Sequence, residues 1–182
     1  MARFFKELDI PFQTAQFEIM EYVLACDPDI VHKSTYDFAD VGTFKANCPA
    51  VKNIFNALRE FEDLDYWENL CYVGVCVLQP RKMLQPHIDC SPSMVGLNIP
   101  LLNCEGTLTR FYRGWASAQW EIQPGVNGIS VKSEKVMEEF ELRKPTLFLP
   151  KVPHGVINKR DSVRMMCSLR FTEDPLNLFF RD

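Results

Sequence analysis

The chain has 182 residues, 47% hydrophobic and 24% charged, with a net charge of −4. That length suits one domain able to bury roughly two-thirds of its unfolded surface without staples. The negative balance argues against a protein whose main task is to neutralise phosphates, so no nucleic-acid partner is expected.

No apolar run reaches the roughly eighteen residues of a membrane span, and the opening MARFFKELDIPF lacks the apolar core of a secretory leader. A cytoplasmic protein without a membrane partner is the expectation. The seven cysteines stand singly, with no CxxC pair, and an odd number cannot close completely into intramolecular disulfides. They are expected to be reduced spectators that pack as small apolar residues.

In chain order, residues 14–26 predict a helix with Thr14 as N-cap and Phe17, Met20, Tyr22, Val23 and Leu24 near helical spacing. Asp27-Pro28 ends it, because the residue before proline is pushed out of the helical region. His32 follows without a companion and reads as a loop or surface residue. A second helix is predicted over 49–61, with Pro49 at its first position and Val51, Ile54, Phe55, Leu58 and Phe61 as one stripe.

From residue 70 the signals change to strands. Residues 70–78 form a β-rich run closed by Gln79-Pro80. Further strands are predicted at 95–101, 107–112, 118–122, 146–149, 155–158 and 163–171. Short strands punctuated by Gly, Pro, Asn and Asp indicate a sandwich or barrel, so the expected class is α+β, mainly β: a jelly roll with helices packed outside.

The chain has three histidines. His87 and Asp89 form His-Ile-Asp, and on a strand positions i and i+2 share a face. His154 lies in Val-Pro-His-Gly-Val between two later strands. Two imidazoles and one carboxylate make the facial donor set of non-haem iron(II) sites, which leaves positions open for dioxygen and a co-substrate. A structural zinc site would call for four ligands, usually with thiolates. Ten residues beyond His154 comes Arg164, and a strand there puts Arg164, Met166, Ser168 and Arg170 on one face. An arginine pointing into a barrel is costly unless it meets an anion; a dicarboxylate would supply one, and so would an acidic side chain.

Pro86-His-Ile-Asp89, Gly96-Leu-Asn-Ile-Pro-Leu101, Thr107-Leu-Thr-Arg-Phe-Tyr112, Pro145-Thr-Leu-Phe-Leu-Pro150, His154-Gly-Val-Ile-Asn158 and 164–171 follow one another in one order. Together they resemble the double-stranded β-helix (cupin-like) core of the iron(II)- and 2-oxoglutarate-dependent oxygenases, near the aspartyl/asparaginyl β-hydroxylase-like and small prolyl-hydroxylase-like branches. The resemblance spans roughly residues 70–172; residues 1–69 are expected to form a helical support and 173–182 a tail, within one domain.

The resemblance implies Fe(II) held by His87, Asp89 and His154, and 2-oxoglutarate anchored by Arg164. The family often has Ser or Thr two residues after that arginine, where this chain has Met166, so the hydroxyl partner falls to Thr107, Thr109 or Tyr72. Asn98, Arg110, Trp115 and Arg170 are candidate substrate contacts, against the plainer readings of hydrogen bonding, acidic pairing or, for Trp115 and Trp120, core packing. The expected activity is a dioxygenase hydroxylating an amino acid, peptidyl residue or small molecule with dioxygen. A non-catalytic jelly-roll binding module and a cupin-type metalloenzyme without 2-oxoglutarate stay open as alternatives.

Overall fold

The computed structural model describes residues 4–33, 36–59, 67–89, 95–123 and 126–171; the expected tail at 173–182 and the end of the second predicted helix lie outside them. The first helix, α1 (Gln13–Cys26), begins one residue earlier than predicted, so Thr14 is inside it and Phe12 is the cap, without a side-chain cap bond. Its buried stripe is Ala15, Ile19 and Val23, whereas Phe17 is 62% exposed. Of the predicted stripe, Val23 is buried and Met20 and Tyr22 pack partly buried against the same core, so the buried face is rotated from the predicted one toward Ala15 and Ile19.

Two elements of the N-terminal third are strands, against the expectation of a purely helical support. These are β1 (Phe5–Glu7) and β2 (Tyr36–Ala39). A short helix, α2 (Val41–Asn47), also went unpredicted; Asp40 caps it by accepting from the Thr43 amide at 2.7 Å. Pro49 and Ala50 form a turn before α3 (Val51–Arg59) rather than its first residues. Val51, Ile54 and Phe55 are buried as expected, while Leu58 and Phe61 fall outside the described side chains.

The remaining strands are β3 (Leu70–Leu78), β4 (Met83–Asp89), β5 (Gly96–Leu102), β6 (Thr107–Gln123), β7 (Val126–Phe140), β8 (Thr146–Phe148), β9 (His154–Asn158) and β10 (Arg164–Phe171). The fragments expected at 107–112 and 118–122 are one strand, because β7 pairs along nearly the whole of β6. One sheet runs β1-β8-β5-β10-β3-β2, and β4, β7, β6 and β9 close on one another. Apart from the β6–β7 hairpin, the chain from β3 to β10 passes from one sheet to the other at each step. That alternation makes the core a double-stranded β-helix, mainly β with few helices.

Strand alternation divides the interior in two. Val73, Val75 and Val77 of β3, Leu97, Ile99 and Leu101 of β5, and Met165, Cys167, Leu169 and Phe171 of β10 pack outward against the buried faces of α1 to α3. The opposite faces turn into the barrel, where Cys76, Phe111, Phe148 and Met166 pack together. This inner face carries the polar groups considered next.

Candidate metal centre

His87 and His154 are direct partners across the β4–β9 pairing. The register slips between Leu84 and His87, a bulge that accommodates Pro86, which has no amide hydrogen to give. Gly155 allows the close approach, since a Cβ there would lie 2.8 Å from the Leu84 carbonyl oxygen. The bulge leaves the two imidazoles side by side with ring centres 4.5 Å apart. Asp89, two residues beyond His87, shares its face.

Each histidine places Nδ1 on the carbonyl two residues before it, His87 on Gln85 at 2.7 Å and His154 on Val152 at 2.9 Å. A carbonyl only accepts, so Nδ1 donates and Nε2 presents its lone pair. Both Nε2 atoms turn to Asp89 Oδ1, at 3.3 Å from His87 and 3.7 Å from His154. The donor atoms of the three residues lie within 4.8 Å of one another.

The electrostatics suit a cation. Burial and the neighbouring His87 push His154 down to about 4, so its imidazole is neutral at neutral pH. Burial alone would raise the Asp89 carboxyl, but its partners His87 and His154 and the Arg170 guanidinium outweigh that and hold the group well below the usual carboxylate range. Two lone pairs and a carboxylate oxygen aimed at one point repel each other until a positive charge sits between them. His87, Asp89 and His154 could therefore hold a metal ion, with three protein donors and open positions left over.

Asp89 Oδ2 faces away from the histidines and accepts from Arg170 Nη2 at 2.8 Å. Arg170 was a candidate substrate contact; in the structure it pairs with an acidic side chain, as its plainer reading had it. Its Nη1 donates to Ser168 Oγ and to the Leu169 carbonyl at 3.1 Å, and Ser168 Oγ donates to Asn98 Oδ1 at 2.8 Å. Asn98 is thus buried inside the barrel, engaged with β10.

Further along the inner face of β10, Arg164 is fully buried. Its Nε donates to Thr107 Oγ1 at 3.1 Å and its Nη2 meets the Met166 thioether at 3.3 Å, while Nη1 has no partner. Of the three hydroxyl candidates, Thr107 is the one in contact. Thr109 is buried one step along the same face of β6, opposite Val156 rather than Asn158. Tyr72 is in register with Arg170, whereas Leu78 is opposite Arg164. Six residues of strand, about 20 Å, separate those positions, so Tyr72 does not assist Arg164.

Two other candidates lie away from the centre. Arg110 alternates to the outer face of β6 and pairs with Glu139 at 2.9 Å. Trp115 is neither core nor buried: it is 51% exposed on the β6–β7 arm, with the Lys132 ammonium 5.7 Å from its ring centre. The Trp120 side chain lies outside the described residues. Sequence reasoning missed Gly96 and Phe148. A Cβ on Gly96 would come within 2.4 Å of Arg170 Nη1, and a glycine within a strand is itself a sign of such close approach. Phe148 stacks its face under the Arg170 guanidinium at 4.7 Å and meets His154 edge-on at 5.5 Å, a contact with no signature along the chain.

No family model matches the sequence, and no curated protein does. Solved structures do. A prolyl-4-hydroxylase from Pseudomonas putida aligns over 92% of this chain and 90% of its own, with a TM-score of 0.51 and 16% identity. The viral collagen prolyl hydroxylase of Paramecium Bursaria Chlorella virus-1 aligns over 94% and 91%, with a TM-score of 0.51 and 13% identity. E. coli ycfD matches 63% of this chain but only 29% of its own length, at 19% identity and a TM-score of 0.42. At these identities the likeness is one of fold: the chain shares the double-stranded β-helix of the two hydroxylases over nearly its whole length.

Proposed function

We propose that this chain is an iron(II)- and 2-oxoglutarate-dependent dioxygenase that hydroxylates an amino acid, a peptidyl residue or a small molecule. The observation that carries the reading is Arg164. Its charge is fully buried in the barrel that also holds the His-Asp-His cluster, Nη1 has no partner, and no carboxylate among the described residues pairs with it. An uncompensated buried guanidinium is expensive, and a dicarboxylate bound between it and the metal would remove the penalty. The fold shared with two hydroxylases supports the same reading.

In this reading His87, Asp89 and His154 hold the iron on one face, and the neutral imidazole of His154 need lose no proton to bind. Arg164 takes the far carboxylate of the co-substrate, with Thr107 fixing the guanidinium through Nε. Phe111 and Phe148 keep the space beside His154 apolar. The bound iron would supply activation of dioxygen, with 2-oxoglutarate oxidised to succinate and carbon dioxide as one oxygen atom enters a substrate C–H bond.

The test is anaerobic titration with Fe(II) and then 2-oxoglutarate, monitored for the weak visible metal-to-ligand charge-transfer band. The band is expected only with both present, and Arg164→Met should weaken 2-oxoglutarate binding by about 10-fold or more, as for loss of a charge-assisted bidentate contact. Iron binding without any effect of 2-oxoglutarate would point to a metalloenzyme that does not use it. No iron affinity would leave a binding module.

A further inference from the structure

We infer that Arg170 is a positioning residue that commits one oxygen of Asp89 and so fixes the carboxylate as a single-oxygen metal ligand; this rests on the metal centre proposed above. Oδ2 is occupied by Arg170 Nη2 at 2.8 Å, and only Oδ1 faces the two Nε2 atoms. A carboxylate free to swing can offer both oxygens to a metal and fill a position that dioxygen or a co-substrate needs. One pinned through Oδ2 cannot.

The pin is itself held from three sides. Ser168 Oγ accepts from Arg170 Nη1 and passes its own hydrogen to Asn98 Oδ1, which joins β5 to the site. Phe148 supports the guanidinium face and packs near-perpendicular to the His154 ring, so one ring spaces the pin from a ligand on another strand. Gly96 completes the niche: a methyl there would meet Arg170 Nη1 at 2.4 Å, its Cζ at 2.7 Å and Phe148 Cε1 at 2.6 Å. Arg170 is 2% exposed, and its planar fork reaches Ser168 and Asp89 together, which a lysine ammonium cannot do in the same geometry.

Charge and position predict opposite results, which makes the inference testable. If Arg170 mattered only as a positive charge beside the site, its removal would tighten binding of a divalent cation. If it positions Asp89, its removal loosens binding.

The experiment is Co2+ titration of the apoprotein, following affinity and the visible ligand-field spectrum, for the parent and for Arg170→Met, Arg170→Lys, Asn98→Ala and Gly96→Ala. Circular dichroism identifies variants that keep the fold. Co2+ affinity is expected to fall by about 10- to 100-fold in Arg170→Met and Gly96→Ala, the usual range for losing an outer-shell partner, and by less in Asn98→Ala. Arg170→Lys, which keeps the charge, should resemble Arg170→Met. The band should change shape because an unpinned Asp89 no longer presents Oδ1 in one fixed orientation.

Should Gly96→Ala fail to fold, the other three variants decide. Parent-like affinity and spectrum in Arg170→Met, tighter binding in it, or parent-like behaviour in Arg170→Lys would each overturn the positioning role while leaving the metal centre standing. A parent protein that binds no Co2+ would overturn both.

Discussion

His154 is neutral in the fold because burial and the adjacent His87 push it down to about 4 from an ordinary value of 6.5. Between those values the unfolded chain takes up a proton that the folded chain refuses. The unfolded state therefore binds more protons in that window, and stability rises with pH across it. The contribution is complete above about pH 6.5 and lost as the pH falls to about 4; it amounts to roughly 3 kcal/mol for the whole shift. Asp89 adds a second acid-sensitive contribution, lost below its ordinary range, because its carboxyl is lowered in the fold. Urea unfolding of the apoprotein should show a falling midpoint from about pH 6.5 to about pH 4, and His154→Asn should flatten that limb. A limb equally steep in the variant would assign the acid sensitivity elsewhere.

At the scale of the elements, the bulge between β4 and β9 brings the imidazoles together, and Gly155 is its most exposed dependency. A methyl on Gly155 would lie 2.8 Å from the Leu84 carbonyl oxygen and 3.3 Å from the Pro86 nitrogen, both backbone atoms that cannot turn aside. Gly155→Ala should cost about 1–3 kcal/mol by overpacking and, by prising β4 from β9, also weaken Co2+ binding. Thermal unfolding and the metal titration together check this; an unchanged metal affinity would show that the pairing is not what sets the site. The same bulge explains part of what was hard to read. Pro86 argues against a strand at 83–89, and only the slip in register makes one tolerable. The strand β7 was illegible for another reason: most of its described side chains are exposed and it carries Lys132, Lys135, Glu134, Glu138 and Glu139, so its strand form comes from pairing with β6. By contrast β3 announces itself, since a strand buried on both faces reads as a near-continuous apolar run, and β10 shows its strand through the apolar residues at every second position from Met165 to Phe171. His-Ile-Asp and the arginines of β10 were legible because side chains on a strand repeat every second residue. The niche of Gly96, Phe148 and Arg170 was not, because it is assembled from three strands distant in the chain.

At the scale of the whole molecule, β10 separates two tasks on its two faces. Met165, Cys167, Leu169 and Phe171 belong to the core under the helices, whereas Arg164, Ser168 and Arg170 belong to the barrel and its polar groups. The outer core supplies most of the apolar burial that keeps the sheet in place, and the inner face spends its positions on charges that packing alone would not favour. Adjacent residues should then fail differently. Leu169 is completely buried, so Leu169→Ala should cost about 2–5 kcal/mol in urea unfolding, from lost transfer energy and the cavity left behind. Its folded form should still bind Co2+ as the parent does, because the strand is held on both sides by β3 and β5 and the inner face is undisturbed. Ser168→Ala, one residue away, should have a smaller effect on stability, about 1 kcal/mol for one hydrogen-bonding group, yet weaken Co2+ binding by removing the link between Asn98 and Arg170. If both variants lost stability and metal affinity in the same proportion, β10 would transmit strain between its faces, and the helical layer would have to be counted as part of the site.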